Sequence, residues 1–154
     1  MFEITVRKSV FIDRPAEDVF ARLNNLERMT GWSNALIAIE KLTPEEICPG
    51  TIVQCTVRFL GKQLDITFEI VEYEPARYLA FKSIAGCPPC LFSYQFDPVA
   101  GGGTNASEEA RVHIVAELLE VTETAVSNAI HRQIEYDLLT LKDVVESSLS
   151  TGSR

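Results

Sequence analysis

The last quarter of the chain sets the strongest limit on its fold. In "TETAVSNAIHRQIEYDLLTLKDVVESSLS", Val126, Ile130, Ile134, Leu138, Leu141, Val145 and Leu149 recur at steps of four and three. That spacing lays one continuous apolar stripe along an amphipathic helix. Thr122 stands where an N-cap belongs. A helix over 123–149 is about 40 Å long, so it needs an apolar surface of similar length to cover its stripe, and the rest of the chain has to supply it.

Most of the remainder reads as strands. "EITVRKSVFI" alternates around Ile4, Val6, Val10 and Ile12, with Lys8 breaking the series, which predicts a strand with one buried face. "DRPAEDVFARLNNL" changes period. Asp13 or Arg14 falls at a cap position, Pro15 suits a first turn, and Glu17 and Asp18 suit the positive end of a helix. A short helix is expected over 15–24, and a second helical piece around 25–30 ending near Gly31. Strands follow near 35–42, 51–60, 63–73, 77–84, 90–97 and 108–118, divided by "TPEEICPG", "LGK", "EPAR", "AGCPP" and "DPVAGGGTNAS". Short dividers between successive strands predict an antiparallel meander. The expected fold is α+β: strand, two short helices, six strands, and a long helix against a curved sheet. One domain is expected over 1–150, with 151–154 as a frayed tail.

This order resembles the START-like, helix-grip superfamily, and more narrowly the polyketide cyclase/dehydrase and lipid-transport group. The resemblance rests on "FIDRPAEDVFARLNNLERMTGW", which contains I-x-x-P-A-E-D-V-F from Ile12 to Phe20 and ends on Trp32. It also rests on "YEPARYL" from Tyr73 to Leu79, the glycine-rich loop before the last strand, and the closing "DLLTLKDVVESS". The resemblance implies a seven-stranded curved antiparallel sheet wrapped around the C-terminal helix, with a cavity for an apolar small molecule between them. Members of that group carry lipids, hormones or polyketides, some are aromatases or cyclases, and some act as partners of other proteins. Fold alone does not choose among these.

Strand parity assigns the inner face independently of the resemblance. It turns Leu64, Ile66, Phe68 and Ile70 inward, and likewise Val53, Cys55, Val57 and Phe59. The same count selects Leu79, Phe81 and Ser83, then Phe92, Tyr94 and Phe96, then Val112, Ile114, Ala116 and Leu118. This face is either a filled core or the wall of a cavity, a modest one given its aromatics. The expected ligand contacts are Trp32, Phe59, Phe68, Phe81, Tyr94, Ile114, Ile134 and Leu138. The expected polar groups are Tyr94, Ser83, Cys55 and the Trp32 indole N–H at the rim.

No catalytic set is expected. His113 falls on the outer face, and His131 lies off the stripe with Glu135 one turn on. The acidic pairs in "PEE" (44–46) and "SEE" (107–109) read as solvated charge, and Arg58, Arg77 and Arg111 fall on outer or edge positions. No nucleophile elbow, phosphate loop, HExxH or paired-carboxylate motif is present. The net charge of −8 and the lack of a basic run argue against nucleic acid. No apolar stretch reaches the length of a membrane span. With no export signal at the N-terminus, a cytoplasmic location and reduced thiols are expected. The leading reading is a carrier or binder of an apolar small molecule, without cofactor, as a monomer or homodimer. A polyketide cyclase or aromatase and a protein-interaction module are the alternatives.

The four cysteines do not form a metal site on this reading. Hairpin turns alternate between the two ends of a meander, so Cys48 lies a strand's length from Cys87 and Cys90, while Cys55 sits mid-strand facing inward. A strand, not a helix, follows Cys90, which removes the helix N-terminus that a redox CxxC uses. "GCPPCLF" is instead expected to be a rigid segment at the end where the chain enters the long helix; the resemblance implies that this end is the cavity mouth, formed by Gly61, Cys87, Pro88, Pro89 and Cys90.

Overall fold

The computed structural model describes residues 2–44, 46–86, 88–114 and 122–152. The chain runs β1 (Phe2–Ile12), α1 (Ala16–Asn24), a 3-10 helix (Leu26–Gly31), β2 (Leu36–Lys41), β3 (Ile52–Phe59), β4 (Lys62–Glu74), β5 (Tyr78–Gly86), β6 (Cys90–Pro98), β7 (Thr104–Ile114) and α2 (Glu123–Gly152). The seven strands form one antiparallel sheet in the order β1-β7-β6-β5-β4-β3-β2. β2 to β7 are the expected meander, and β1 adds beside β7. The segment holding α1 and the 3-10 helix therefore carries the chain from one edge of the sheet to the other.

The stripe on α2 drives the packing. Val126, Ile130, Ile134, Leu138, Leu141 and Val145 are all buried, and each fully buried aliphatic side chain contributes roughly 1.5–3 kcal/mol. The Thr122 hydroxyl accepts the Ala125 N–H at 3.1 Å, as an N-cap does. The helix reaches Gly152, past its expected end at 149. Register shifts between Leu36 and Ala38 in β2, and at Thr67/Phe68 and Ile70/Glu72 in β4, add the local bends by which a sheet curves.

A polar latch fixes the far half of α2 to the β1–α1 corner. Lys142 Nζ donates to the Phe11 carbonyl at 2.7 Å, and Arg14 donates to the Glu146 carbonyl at 2.7 Å. The Asp13 N–H donates to the Glu146 carboxylate at 2.9 Å, and with Lys142 at 2.8 Å it holds that carboxyl below its ordinary pKa.

Two boundaries differ from the sequence reading. Pro15, not Asp13 or Arg14, is the N-cap residue of α1, and no side chain caps it; its extended backbone places its carbonyl to accept the Asp18 and Val19 N–H groups. β7 begins at Thr104, four residues before the expected 108. "TNAS" reads as loop by composition, yet it lies between two strands and pairs with Ile12–Ser9 on one side and Pro98–Gln95 on the other. Ladder bonds on both sides outweigh weak strand propensity. Ala116 and Leu118, expected on the inner face, lie outside the described residues.

Turn chemistry is local. Leu60 and Gly61 both have positive φ, 51° and 80°, as a two-residue type I′ hairpin requires. Gly86 (φ +92°) closes β5 against β4, and a β-carbon there would collide with the backbone carbonyl of Asp65. Gly101 has a similar φ, +100°, but open space around it. Gly86→Ala is therefore expected to destabilise the fold by about 2 kcal/mol or more, against about 1 kcal/mol for Gly101→Ala. Urea denaturation of both variants measures this, and equal losses would mean that the close approach to Asp65 costs nothing.

Candidate functional site

Between the concave face of the sheet and α2 lies a space of about 160 Å³. Its wall is mostly apolar. β3 and β4 supply Cys55, Val57, Phe59, Leu64, Ile66 and Phe68, while β5 and β6 supply Phe81, Cys90, Phe92 and Tyr94. Met29 and Leu36 close one flank, and Ile130 and Ile134 come from α2. Phe68 packs edge-on to Phe81 and Phe92, and Phe81 edge-on to Tyr94, with ring centroids 5.9–6.4 Å apart. The size is close to that of an engineered apolar cavity, on the order of 150 Å³, that takes up benzene.

Five of the eight expected contacts face this space: Phe59, Phe68, Phe81, Tyr94 and Ile134. The other three do not. Ile114 and Leu138 are fully buried in the core. Trp32 is buried rather than at the rim; its ring stands edge-on behind Tyr94 with centroids 6.1 Å apart, and its indole N–H has no partner. Packing from the 3-10 helix, not strand parity, decides where Trp32 points, and no sequence period reports that. Of the expected polar groups, Ser83 is used structurally, its Oγ accepting the Cys90 N–H at 2.9 Å.

At the end where β7 leaves the sheet, Cys90 pairs with Val112, and the His113 N–H donates to the Pro89 carbonyl at 2.9 Å. Pro88 and Cys90 face the space, whereas Pro89 and Gly61 are exposed and do not. Cys87 lies outside the described residues. Among the described residues no cluster of metal-ligating side chains exists. His113 is on the outer face and meets Glu3 at 3.2 Å, with both half-exposed.

The polar content of the site corrects the sequence reading. Glu108, assigned there to solvated charge, is only 3% exposed and faces the space. It lies directly opposite Tyr94 in the β6–β7 register, and the two side chains share a hydrogen bond. Its Oε1 atom is buried without a partner. A second carboxyl, Asp137, projects from α2 into the same space. Its Oδ1 accepts from the Asn34 N–H and the Gln133 amide, both at 2.9 Å, and its Oδ2 from the Ser33 hydroxyl at 3.2 Å.

Burial sets the protonation of this cluster. Desolvation, then the charge of Asp137, pushes Glu108 well above the usual carboxyl range, which favours its neutral form. Tyr94 is raised by burial, then by Glu108 and Asp137. Burial lifts the Cys55 thiol to about 12, which removes it as a thiolate nucleophile. Asp137 is pushed up to about 6 by burial, against the pull of its three donors. Two signals in the sequence point to the pair. Carrying the parity of Val112 back four residues reaches Glu108, and Asp137 lies three residues after Ile134 and four before Leu141, on the apolar stripe.

A model of the polyketide cyclase/dehydrase and lipid-transport family matches residues 3–146. The chain belongs to this family. Its fold is shared with solved structures of low identity. The Zhui aromatase/cyclase from Streptomyces sp. R1128 superposes with a TM-score of 0.80 at 13% identity, covering 96% of both chains. A START superfamily protein from Mycobacterium smegmatis gives 0.79 at 14%, over 93% of this chain and 97% of the other. A protein from Thermus thermophilus gives 0.79 at 20%, over 94% and 99%. No curated protein matches the sequence. Among the described residues of this family member, no helix is long and apolar enough to cross a membrane.

The Asp137 carboxyl gives the family member a defined pH response. Between its ordinary 3.8 and about 6, the folded protein keeps a proton that the unfolded chain has released. The Asp137 contribution to stability therefore falls as pH rises through that window, by up to about 3 kcal/mol, and levels off above it. Asp137→Asn removes this loss, so the variant is expected to gain on the wild type between about pH 4 and 6.5. Thermal unfolding of both across that range tests it, and a constant difference would refute the assignment.

Proposed function

We propose that the protein binds a compact, mostly apolar molecule between the sheet and α2. The observation that carries this reading is the combination of a one-ring-sized apolar space with a buried carboxyl oxygen, Glu108 Oε1, that no described residue satisfies. Small-molecule sites are mostly apolar with a few placed polar groups, and a buried orphan oxygen is costly unless something pairs with it. Membership of a family described by lipid transport and polyketide cyclisation supports the same reading. Phe59, Phe68, Phe81, Tyr94 and Ile134 are the proposed contacts, with Pro88 and Cys90 at the mouth. Lipid-like or polyketide-like ligands enter by one ring or one short chain segment at a time.

Titrating labelled protein with toluene and following backbone amide NMR shifts tests the proposal. Saturable shifts are expected at Phe68, Phe81 and Ile134, and Val57→Phe, which adds a ring to the wall, is expected to weaken binding by about tenfold. Shifts confined to the outer face would refute it.

The two carboxyls favour a second reading, an enzyme of the cyclase or dehydrase type. A pair of acids with separated protonation suits acid–base chemistry. Asp137, ionised above about pH 6, takes a proton from a carbon next to a bound carbonyl, and neutral Glu108 supports the carbonyl oxygen as a donor. Deuterium exchange at the α-carbon of a small aryl ketone in D2O is then expected to rise with pH through about 6 and to drop by about a hundredfold in Asp137→Asn. Exchange at the buffer rate in both proteins would eliminate this reading.

A further inference from the structure

The charge balance of the site narrows what it accepts. Among the described residues, its wall includes two carboxyls, Glu108 and Asp137, and no Lys, Arg or His. The other polar groups on the elements packed around the pair are Cys55 on β3, Tyr94 and Cys90 on β6, Ser33 before β2, and Gln133 on α2. Lys8 on β1 is opposite Glu108 in register but does not face the space, and it neither satisfies Glu108 Oε1 nor lowers its pKa. Among the described residues Asp137 Oδ2 accepts only the Ser33 hydroxyl, which leaves one of its lone pairs open. Among the described residues, no cation lines the space beside the two acids.

We propose that the preferred ligand is a compact apolar amine, about one ring in size, whose ammonium group lies between Glu108 Oε1 and Asp137 Oδ2. This rests on the binding reading above and assigns the polar end of its ligand. An ammonium brings the positive charge and the donors that both oxygens lack, and charge-assisted hydrogen bonds are the strong kind. As it binds, Glu108 gives up its proton to solvent and the ammonium pairs with both carboxylates. A carboxylate ligand meets two acids in a low-dielectric space and is rejected.

Calorimetric titration with benzylamine, benzyl alcohol and benzoate at about pH 7.5 tests the assignment with three probes of one shape. Benzylamine is expected to bind about tenfold or more tighter than benzyl alcohol, with benzoate undetected. The amine's heat of binding should vary between buffers of different ionisation enthalpy, because a proton is released. Glu108→Gln and Asp137→Asn should each remove most of the amine's advantage over benzyl alcohol, and either variant suffices if the other fails to fold. Equal binding of amine and alcohol, or binding of benzoate, overturns the amine assignment and leaves the binding site standing. If none of the three probes binds, the binding reading falls and the amine assignment falls with it.

Discussion

The burial of the α2 stripe is the constraint from which the other features follow. Six aliphatic side chains from Val126 to Val145 need one apolar surface, and a helix about 45 Å long is matched only by a sheet seen across its whole face. A sheet bent around a cylinder cannot fill the gap evenly with side chains of fixed size. In the N-terminal half of α2, where Ile130 and Ile134 line the same space as Ile66, Phe68 and Phe81, the aromatics meet edge-on and leave the space that defines the site. At the other end, the latch of Asp13, Arg14, Lys142 and Glu146 holds the helix to β1.

Placing two carboxyls in that gap lowers stability. Among the described residues neither Glu108 nor Asp137 has a cationic partner, and burial opposes the ionisation of both. An apolar pair of the same volume would pack there at no such cost. Groups that weaken a fold and face a cavity are common where a protein acts on or holds another molecule. Tyr94 and the donors around Asp137 fix the geometry of the cluster, so the orphan oxygen of Glu108 keeps a set position rather than reaching for solvent.

Much of this was readable from the chain. Period two in β3 to β6 gave the inner face correctly at Val53, Cys55, Ile66, Phe68, Phe81 and Tyr94, because a half-buried strand writes its burial pattern into its own sequence. Thr122 as a cap and Val126 to Val145 as a stripe were legible for the same reason. Glu108 was missed although its parity with Val112 turns it inward, since its neighbours Ser107 and Glu109 look like a solvated turn, and pairing with β1 and β6 reveals that β7 begins at Thr104. Asp137 sits on the apolar stripe, where a single carboxyl breaks no period. Trp32 fails in the opposite sense, because an aromatic near a family motif marks a buried core contact here, not a rim.

The sequence alone determined the order of elements, the face each strand turns inward and the need for a sheet around the last helix. These depend on local period and on the burial of apolar surface. The tertiary structure decided which of those inward residues border empty space and which fill the core, and it brought Tyr94, Glu108 and Asp137 from β6, β7 and α2 to one point. That meeting depends on register between strands and on the depth at which the helix settles. Both are set by contacts between residues far apart in the chain, and no local pattern encodes them.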